Sequence, residues 1–459
     1  MTRTTSHVPH DLARPDDPHD PTIGDPPMTE PFPSPAQAAA SPDAAPADPQ
    51  ARRPWRTALL AGMASYLDAG TIVAVSASLT LWRNQFALDA WQLGFLSAAL
   101  TVCIGIGAIV GGRIGDRVGR KRVYSFDLLL YAFGLLWIVC AVAPVMLFIG
   151  VIIVGLAVGA DVPTSITVVG ETAPGKRRGR LVTFTQLLWG LGPLIVILVV
   201  LASTGLGEWM PRIVFGHLLV LALITWALRR RIGEPVAWKS ARTAGATREG
   251  ARALFRSPLL RNTLFILGFY VLLTIGTNFY GSFGLYSLET VGGLSPSTAL
   301  LVSLIGVPVV LLTVLAIMRA MDGPARRPIF VVGAIVQVAA WIVPLVLPAG
   351  AVTLVIAFVT YGIGTTMAGE AHYKVWSQEL FPTELRSTAL GLSFGVARIA
   401  SAISLVFVPT LLASGLVGVS VLMIVVTVGS GFLGLVFMPR RRGESIEEID
   451  ARLRVDPVR

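Results

Sequence analysis

The segment GRIGDRVGRK, residues 112–121, lies between two long apolar stretches and carries most of the information about the fold. Gly112 allows the end of one helix to approach a neighbouring helix closely, and Gly119 allows a tight turn. Asp116 can lie at the N-terminus of a helix, where the helix dipole stabilises a carboxylate. The segment therefore predicts a charged connection between two closely packed helices.

The composition of the chain indicates that lipid, rather than water, surrounds it. Of the 459 residues, 54% are hydrophobic and 14% are charged, and the mean hydropathy is +0.70. Unbroken apolar stretches of about 20 residues, the length that spans a bilayer as a helix, recur along the chain. A soluble core would interleave its apolar residues with charge at helix or strand period. We therefore expect an all-α integral membrane protein.

Twelve transmembrane helices are predicted, six on either side of a long basic loop. The predicted domains are a disordered N-terminal tail at 1–54, six-helix bundles at 55–228 and 261–438, a central loop at 229–260 and a C-terminal tail at 439–459. The spans are predicted at residues 55–81, 91–111, 124–143, 146–169, 181–203, 213–228, 262–288, 297–318, 328–347, 351–372, 387–412 and 416–438.

Basic residues predict the orientation of these spans, because Lys and Arg of short loops are retained on the cytoplasmic side. They fall in every second loop, whereas the loops between are nearly free of Lys and Arg. Both tails are therefore predicted to be cytoplasmic, and topology explains the net charge of +10 better than binding of nucleic acid does. The basic loops are 113–122, 176–180, 229–256, 319–327 and 374–386.

Several classes of activity are not indicated by the sequence. Cys103 and Cys140 both fall inside apolar spans, so neither a disulfide framework nor a metal site is expected. The chain has no phosphate-binding GxxxxGKS/T loop and no nucleophile elbow. We therefore expect no enzyme, no cofactor and no ATP-driven transport, which leaves an ion gradient or simple facilitation as the energy source.

Residues 112–121 resemble the GxxxDRxGRK signature of the major facilitator superfamily. The equivalent loop of the second half, 318–327, keeps Asp322, Arg326 and Arg327 without the glycines and is similar to a decayed second copy. The resemblance implies a multi-pass protein of the inner membrane, in which two six-helix halves rock against each other around a site at mid-membrane. The alternative for either loop is that its charges only set topology.

Two further segments, 171–180 and 379–386, resemble the ExxPxxxRG and ExFPTxxR signatures of the sugar porters and related metabolite symporters. The resemblance implies a network of ion pairs that closes the cytoplasmic side and breaks when that side opens. Arg117 and Arg120 are expected to pair across the same face. The implied network consists of Glu171, Arg180 and Arg117 in one half and Glu379 and Arg386 in the other.

Residues 66–70 (YLDAG) and 369–377 (GEAHYKVWS) resemble bacterial polyol carriers, particularly inositol transporters. At two positions this sequence lacks residues that are typical of the sugar porters and their proton-coupled relatives. The paired glutamines that many sugar porters have are absent from the seventh span, and Val151 stands near the position of an arginine expected in the fourth.

Ionisable side chains inside a bilayer are costly unless they face a cavity or a partner, so the few here are functional candidates. Asp68 is predicted mid-span in the first helix and is the first candidate for a proton-binding carboxylate, with a structural or substrate-binding role as the alternative. Asp161, within GADVP, is similar to the Gly-Asp-x-Pro element of phosphate and metabolite symporters and is the second candidate. Its alternative is an ordinary kink at Pro163, with Asp161 capping a neighbour.

Glu370, His372 and Lys374 lie two residues apart, so a straight helix spreads them over different faces. Glu370 is expected to bind a hydroxyl group, and Lys374 is expected to extend to the cytoplasmic interface. Arg398 and His217 are expected to pair with carboxylates or carbonyls rather than to bind substrate.

A neutral polyol is bound by hydrogen bonds to its alcohols and by aromatic faces against its C–H surface. Tryptophan and tyrosine side chains are alternatively anchors at the membrane interface. The residues predicted to form this site are Gln186, Trp189, Asn278, Tyr280, Glu370 and Trp376.

The sequence therefore predicts a monomeric secondary transporter that imports a sugar or polyol, myo-inositol being one candidate, together with a proton. An exporter working by proton antiport is the alternative, although Gly192 and Pro193 are not followed by the glycine pair of that class. A transport-inactive membrane sensor is a further alternative, and neither the N-terminal tail nor the central loop offers the soluble domain that such proteins usually add.

Overall fold

The structure is a computed structural model and describes residues 53–243, 251–413, 416–439 and 443–455. Of the predicted N-terminal tail, only the last two residues fall within the described part. The described ranges contain fifteen α-helices and no β-strand. The helices are α1 (Pro54–Phe86), α2 (Ala90–Val118), α3 (Arg120–Val139), α4 (Pro144–Thr172), α5 (Arg178–Ser203), α6 (Trp209–Arg229), α7 (Val236–Thr243), α8 (Leu260–Thr290), α9 (Pro296–Ala320), α10 (Arg326–Val346), α11 (Ala351–Ala368), α12 (Glu370–Glu379), α13 (Arg386–Ala413), α14 (Leu416–Phe437) and α15 (Ile446–Val455).

The all-α prediction is confirmed, as a bilayer requires, because lipid offers no partner to a backbone N–H or C=O and a helix pairs these groups within itself. Among the described residues, eleven helical segments are long and apolar enough to cross a membrane. The eighth predicted span is not among them, since α9 contributes only the shorter apolar stretch Gly306–Ala320. Twelve spans therefore stay a prediction.

Two differences between the predicted spans and the helices affect residues discussed below. The sixth span is predicted to end at residue 228, but α6 includes Arg229, which is buried. The tenth is predicted as one helix over 351–372, but the backbone of Gly369 leaves the helical conformation, with φ −112° and ψ −131°. The chain therefore restarts as α12, and Glu370 lies in its first turn.

The helices from the two halves of the sequence pack mainly among themselves, and a few pairs join the halves. In the first half α1 packs on α5 and α2 on α4, and in the second half α10 packs on α11 and α8 on α13. The halves meet where α2 packs on α13 and α5 on α9. These two joints bring residues that are far apart in the chain into contact.

The joint between α2 and α13 depends on glycine. A Cβ atom at Gly112 would overlap the carbonyl oxygen of Ser387, and one at Gly391 would overlap that of Ala108. This is the close approach that the glycine of the first motif predicts. After α2, Gly119 adopts φ +118°, a conformation that glycine reaches without strain, and turns the chain into α3.

Candidate functional site

Helices α1 and α13 bring two opposite charges together inside the bundle. Nη2 of Arg398 donates a hydrogen bond of 2.6 Å to Oδ2 of Asp68, and both side chains are buried. Removing one partner of such a pair leaves an uncompensated buried charge and costs about 3–5 kcal/mol. The prediction that Arg398 pairs with a carboxylate is confirmed.

One oxygen of the Asp68 carboxylate has no hydrogen-bond donor among the described residues. Its Oδ1 atom is buried and accepts no hydrogen bond from the described residues. The indole N–H of Trp189 lies beside the carboxylate but has no hydrogen bond of standard geometry. Because buried polar atoms are nearly always paired, this acceptor and this donor, which lie close together and have no other partner among the described residues, are the polar atoms that the pair leaves unsatisfied.

Three polar side chains from α5 and α12 form a second group. Nζ of Lys374 donates to Oε1 of Gln186 at 2.9 Å and lies 3.1 Å from Oε1 of Glu370. Nε2 of Gln186 in turn donates to Oε2 of Glu370 at 3.4 Å. The group joins the two halves of the chain, because Gln186 belongs to the first and the other two residues belong to the second.

The expectation that Lys374 extends to the membrane interface is wrong. Its side chain is buried, because Glu370 lies four residues earlier on the same face of α12 and supplies a counter-charge. His372 lies between them in sequence but packs against the rings of Phe330 and Trp376. His217, the other predicted histidine, contacts the Val214 carbonyl oxygen at 3.2 Å, as expected.

The two groups act on each other electrostatically, and each contains one carboxyl group and one basic group. The charges of Arg398, Glu370 and Lys374 all act on Asp68. With Asp68 and Glu370 ionised, two carboxylates balance the two cations. A proton on Asp68 would remove the negative charge that pairs with Arg398. The protonation state of Asp68 is therefore linked to the position of the Arg398 side chain.

Asn278 and Tyr280, which are also predicted to bind the substrate, lie in different surroundings. Asn278 on α8 hydrogen-bonds Ser401 on α13 through its side-chain amide. Tyr280 packs instead against the rings of Phe358 and Tyr361 of α11, at centroid distances of 5.7 and 5.6 Å. Asn278 thus joins the helix that carries Arg398, whereas Tyr280 belongs to an aromatic group of the second half.

Trp376 is a core residue, which corrects its prediction as a substrate contact. Its ring lies among Phe265, Phe269, Phe330 and His372, at centroid distances of 5.0 to 5.5 Å, and its exposed fraction is 0%. The sequence cannot distinguish this position from a pocket position, because both favour an aromatic residue. No face of the ring is open to a solute.

We expect Trp376→Phe to leave the KM for solute unchanged, because this ring does not face the pocket. Trp376→Ala should lower stability by about 3–5 kcal/mol through the cavity it creates. The matched comparison is Gln186→Ala, which should raise KM with little loss of stability. Thermal melting and initial uptake rates measure both effects. A raised KM in Trp376→Phe with unchanged melting would place the ring in the pocket after all.

Asp161, the second proton candidate, lies apart from this site. Nη1 of Arg229 donates to both of its carboxylate oxygens, at 2.8 and 2.9 Å, and Oγ of Ser165 donates at 2.5 Å. Arg229 also donates to the backbone carbonyls of Leu60 and Ala61 on α1. All of these residues belong to the first half of the chain. Asp161 thus forms an ion pair with α6, and the two roles expected for it, proton binding or capping of a neighbour at a kink, stay predictions.

The helix ends that carry residues 112–121, 171–180, 322–326 and 379–386 form one surface, which we name the charged face. Arg120 lies at its centre with an exposed side-chain fraction of 0%. Its Nη2 atom lies 2.8 Å from Glu171 Oε1, 2.9 Å from Asp116 Oδ1 and 2.8 Å from the Thr383 carbonyl oxygen. One guanidinium thus binds both halves of the chain.

A second buried arginine, Arg386, completes the centre of the charged face. Its Nη1 atom lies 3.6 Å from Oε1 of Glu171, and its Nη2 atom lies 3.4 Å from Oδ1 of Asp450. Asp450 also accepts hydrogen bonds from the backbone N–H and the hydroxyl of Thr383, at 3.1 and 2.6 Å. Because Asp450 belongs to α15, part of the predicted C-terminal tail is an ordered helix that contacts the charged face.

The two copies of the first motif cap helices reciprocally. Asp116 accepts hydrogen bonds from the N–H groups of Ser387 and Thr388, in the first turn of α13, at 3.3 and 2.6 Å. Asp322 accepts from the N–H groups of Gly179 and Arg180, in the first turn of α5, at 2.6 and 2.9 Å. Each half therefore supplies a carboxylate to a helix N-terminus of the other half.

Asp322 retains this role although its loop has lost the glycines of the motif. Burial raises the pKa of the Asp322 carboxyl above its ordinary value, and the two N–H donors oppose that rise. The interpretation that this loop only sets topology is therefore wrong. Arg326, in the same copy of the motif, makes a two-point ion pair with Glu379 at 2.9 and 2.8 Å.

Two arginines of the implied network are misassigned. Arg117 is exposed and forms no ion pair with the described residues, because the next turn of the chain directs Arg120 inward instead. Arg180 is also exposed, with its guanidinium 5.4 Å from the ring centroid of Trp55. Arg178 is the buried residue of that segment, and its Nε atom donates to the Gly170 carbonyl at 3.1 Å.

Glu234 is a member of the charged face that sequence reasoning did not identify. Its carboxylate accepts the N–H groups of Arg120 and Lys121 and so caps the start of α3. The nearby Trp238 of α7 donates its indole N–H to the Asp116 carbonyl at 3.1 Å. An acidic residue directly before a short amphipathic helix in a basic loop is the signal that could have indicated it.

The fold and the charged face define a class of protein. Residues 58–405 match the Major Facilitator Superfamily, so the chain belongs to that family. It is a multi-pass protein of the inner membrane. The relative and the solved structures described next are transporters by name.

Several relatives within the family are similar to this chain over most of their own length. The minor myo-inositol transporter IolF of Bacillus subtilis (strain 168) is 34% identical over 411 residues, which cover 87% of this chain and 94% of that protein.

A solved structure agrees with the fold. The proton:xylose symporter XylE bound to 6-bromo-6-deoxy-D-glucose superimposes with a TM-score of 0.73 at 20% identity, covering 87% of this chain and 99% of that one. The inward-open conformation of XylE from E. coli covers 86% and 98% of the two chains at 20% identity, but its TM-score is 0.59. The fold described here is thus more similar to the first of these conformations.

Proposed function

We propose that the protein is a secondary transporter that imports a sugar or polyol, with myo-inositol as the first substrate to test, by proton symport. The observation that carries the proposal is the buried Asp68–Arg398 pair, whose second carboxylate oxygen is unpaired beside the Trp189 indole. A hydroxyl group both donates and accepts, so it can satisfy both atoms. The names of the myo-inositol and xylose transporters support the same substrate class.

The proposed mechanism is alternating access between two helical bundles, α1–α6 and α8–α14, joined by the segment 229–260. The contacts of Arg120, Asp116 and Asp322 across the charged face hold the bundles together on one side. The basic loops favour the cytoplasm for that side. Solute and proton then enter from the opposite side, and the charged face separates to release them.

Proton coupling is assigned to Asp68, and Asp161 is not retained for that role because Arg229 occupies both of its oxygens. An ionised Asp68 holds Arg398, and a protonated Asp68 releases it. The cation then needs another acceptor, which a hydroxyl of the bound solute supplies. Loading of proton and solute is thereby favoured in the same state.

The test uses the full chain in proteoliposomes with labelled myo-inositol, glucose and xylose. Counterflow without any gradient should show exchange of at least one of these solutes. An inward proton gradient should then cause accumulation that a protonophore abolishes. Exchange without gradient-driven accumulation would remove the coupling, an outward-directed response would favour proton antiport, and no movement of any solute would refute the proposal.

A further inference from the structure

A groove of about 400 Å³ lies between α2 and α3 in the first half of the chain, and the mechanism proposed above does not use it. Both helices pack on α4, which forms the floor of the groove. Glycine brings α2 close to this floor, because a Cβ atom at Gly107 would overlap the carbonyl oxygen of Leu156 and one at Gly111 would overlap Ala160. The volume lies within the range of ligand pockets, about 300–1,000 Å³.

The groove is apolar and opens on the outer surface of the bundle. Apart from Arg122 and Asp127, the residues that line it have no polar side chain. Val110, Ile114 and Phe126 line it and are exposed, although they belong to segments that are long and apolar enough to cross a membrane. In a bilayer these side chains face lipid rather than water, so the groove is open to lipid chains.

The length of the groove indicates what fits it. Its lining extends over residues 107–114 of α2 and 122–130 of α3, which corresponds to about 10–12 Å along a helix axis. One leaflet contributes about 15 Å of hydrocarbon. The groove therefore ends within one leaflet, as an acyl chain does. A spanning helix of a partner protein would need a surface that continues across the bilayer.

Both walls of the groove change from apolar to basic at the same end, where α2 ends and α3 begins. Arg122 precedes Phe126 by four residues on α3, and Arg117 follows Ile114 by three on α2. Each arginine thus continues the face of its helix that lines the groove. Both are exposed, as is Lys121, and none of the three forms an ion pair with the described residues. Guanidinium groups in this position favour a phosphate.

Asp127 is the one acidic residue of the lining, and it lies away from the basic end. It follows Arg122 by five residues, which places it about 7.5 Å further along α3. Its side chain is buried, Oδ1 accepts the N–H of Leu128 at 2.6 Å, and the positive charge of Arg229 acts on it from inside the bundle. A phosphate beside the arginines therefore does not contact this carboxyl group.

We propose that the groove is a binding site for an anionic phospholipid, whose phosphate is held by Arg117 and Arg122 and one of whose acyl chains lies between α2 and α3. Basic pockets beside spanning helices are typical of sites for anionic lipids. The site gives a role to Arg117, which takes no part in the ion pairs of the charged face. It belongs wholly to the first bundle and does not include the pocket around Asp68, so it does not depend on the proposed transport function.

Native mass spectrometry of the full-length protein in detergent tests the proposal. The protein is titrated with dioleoyl phosphatidylglycerol and, in parallel, with dioleoyl phosphatidylcholine, which has the same chains but no net charge. We expect one phosphatidylglycerol to be retained at concentrations at which phosphatidylcholine is not. Arg117→Ala and Arg122→Ala should each weaken this binding by about fivefold, the usual contribution of one basic residue near an anionic headgroup. Equal retention of the two lipids would overturn the proposal.

A matched pair of variants separates the groove from a general attraction to basic residues. Arg319 and Arg327 are exposed at the corresponding helix ends of the second half and do not line the groove. Arg319→Ala and Arg327→Ala should therefore leave the affinity for phosphatidylglycerol unchanged. A loss as large as that in Arg117→Ala and Arg122→Ala would show that the lipid follows surface charge alone and would refute the site.

The part of the acyl chain is tested by filling the groove. Val110→Trp places a large side chain in it while both arginines remain, so retention of phosphatidylglycerol should be lost. If this variant does not fold, as judged by thermal melting, Ile114→Trp serves the same purpose. Inorganic phosphate has no acyl chain and should not displace the lipid. Unchanged retention in a folded tryptophan variant, or displacement by inorganic phosphate, would contradict binding in the groove.

Discussion

Asp68→Asn should abolish accumulation of solute against its gradient while leaving exchange of solute measurable. The amide cannot bind and release a proton, so an imposed proton gradient no longer does work on the solute. It can still accept the hydrogen bond from Arg398, which limits the structural damage. For one proton per solute, a gradient of one pH unit supports about tenfold accumulation in the wild type, and the ratio should fall to one in the variant.

The measurement compares gradient-driven uptake with counterflow in the same proteoliposomes. Arg398→Lys is the matched control, because an ammonium group retains the counter-charge of Asp68 and should retain coupling at a lower rate. Accumulation by Asp68→Asn at the wild-type ratio would show that the coupling proton is carried elsewhere. Loss of exchange as well as accumulation would instead indicate that Asp68 is needed to bind solute.

Arg120→Ala should have the second large effect, on the equilibrium between closed and open states of the charged face. It removes the contacts of one guanidinium with Asp116, Glu171 and the Thr383 carbonyl. Glu171 then keeps only the longer contact with Arg386, at 3.6 Å. Breaking a buried ion pair costs about 3–5 kcal/mol, which corresponds to a shift of roughly two to four orders of magnitude towards the open state.

A cysteine at Ser387 can report this opening. Ser387 is buried in the closed state, and its hydroxyl has no partner among the described residues, so Ser387→Cys is a mild change. In a background with Cys103→Ser and Cys140→Ser, maleimide should label this cysteine much faster when Arg120→Ala is added. Arg117→Ala is the matched control, since Arg117 is exposed, and should not change the rate. Equal rates in the two variants would contradict the central role of Arg120.

The positions of charged groups along the chain predicted some contacts well. Asp116 lies at a helix N-terminus and Gly112 at a close helix contact, as their residue types require. Both predictions depend on local backbone chemistry: glycine has no Cβ atom, and a carboxylate is favoured where N–H groups are unpaired. The nearby prediction for Arg117 failed because the motif contains several arginines and sequence alone does not show which of them turns inward.

Pairings between distant residues could not be predicted in the same way. Asp68 and Arg398 are 330 residues apart, and Arg229 was assigned to a loop although it is the buried partner of Asp161. Trp376 was assigned to the pocket although it packs in an aromatic core. In each case the residue type fits more than one environment, and the environment depends on which helices become neighbours.

The sequence by itself determined that this protein lies in a membrane as apolar helices, that it belongs with the family of the GxxxDRxGRK motif, and that its loops carry a charged network. It did so because spanning lengths, hydropathy and motif spacing are properties of the chain. Only the tertiary structure decided which acid meets which base. The energy of a charge inside a bundle depends on distance and on burial, and both are fixed when α1, α4, α6 and α13 pack together.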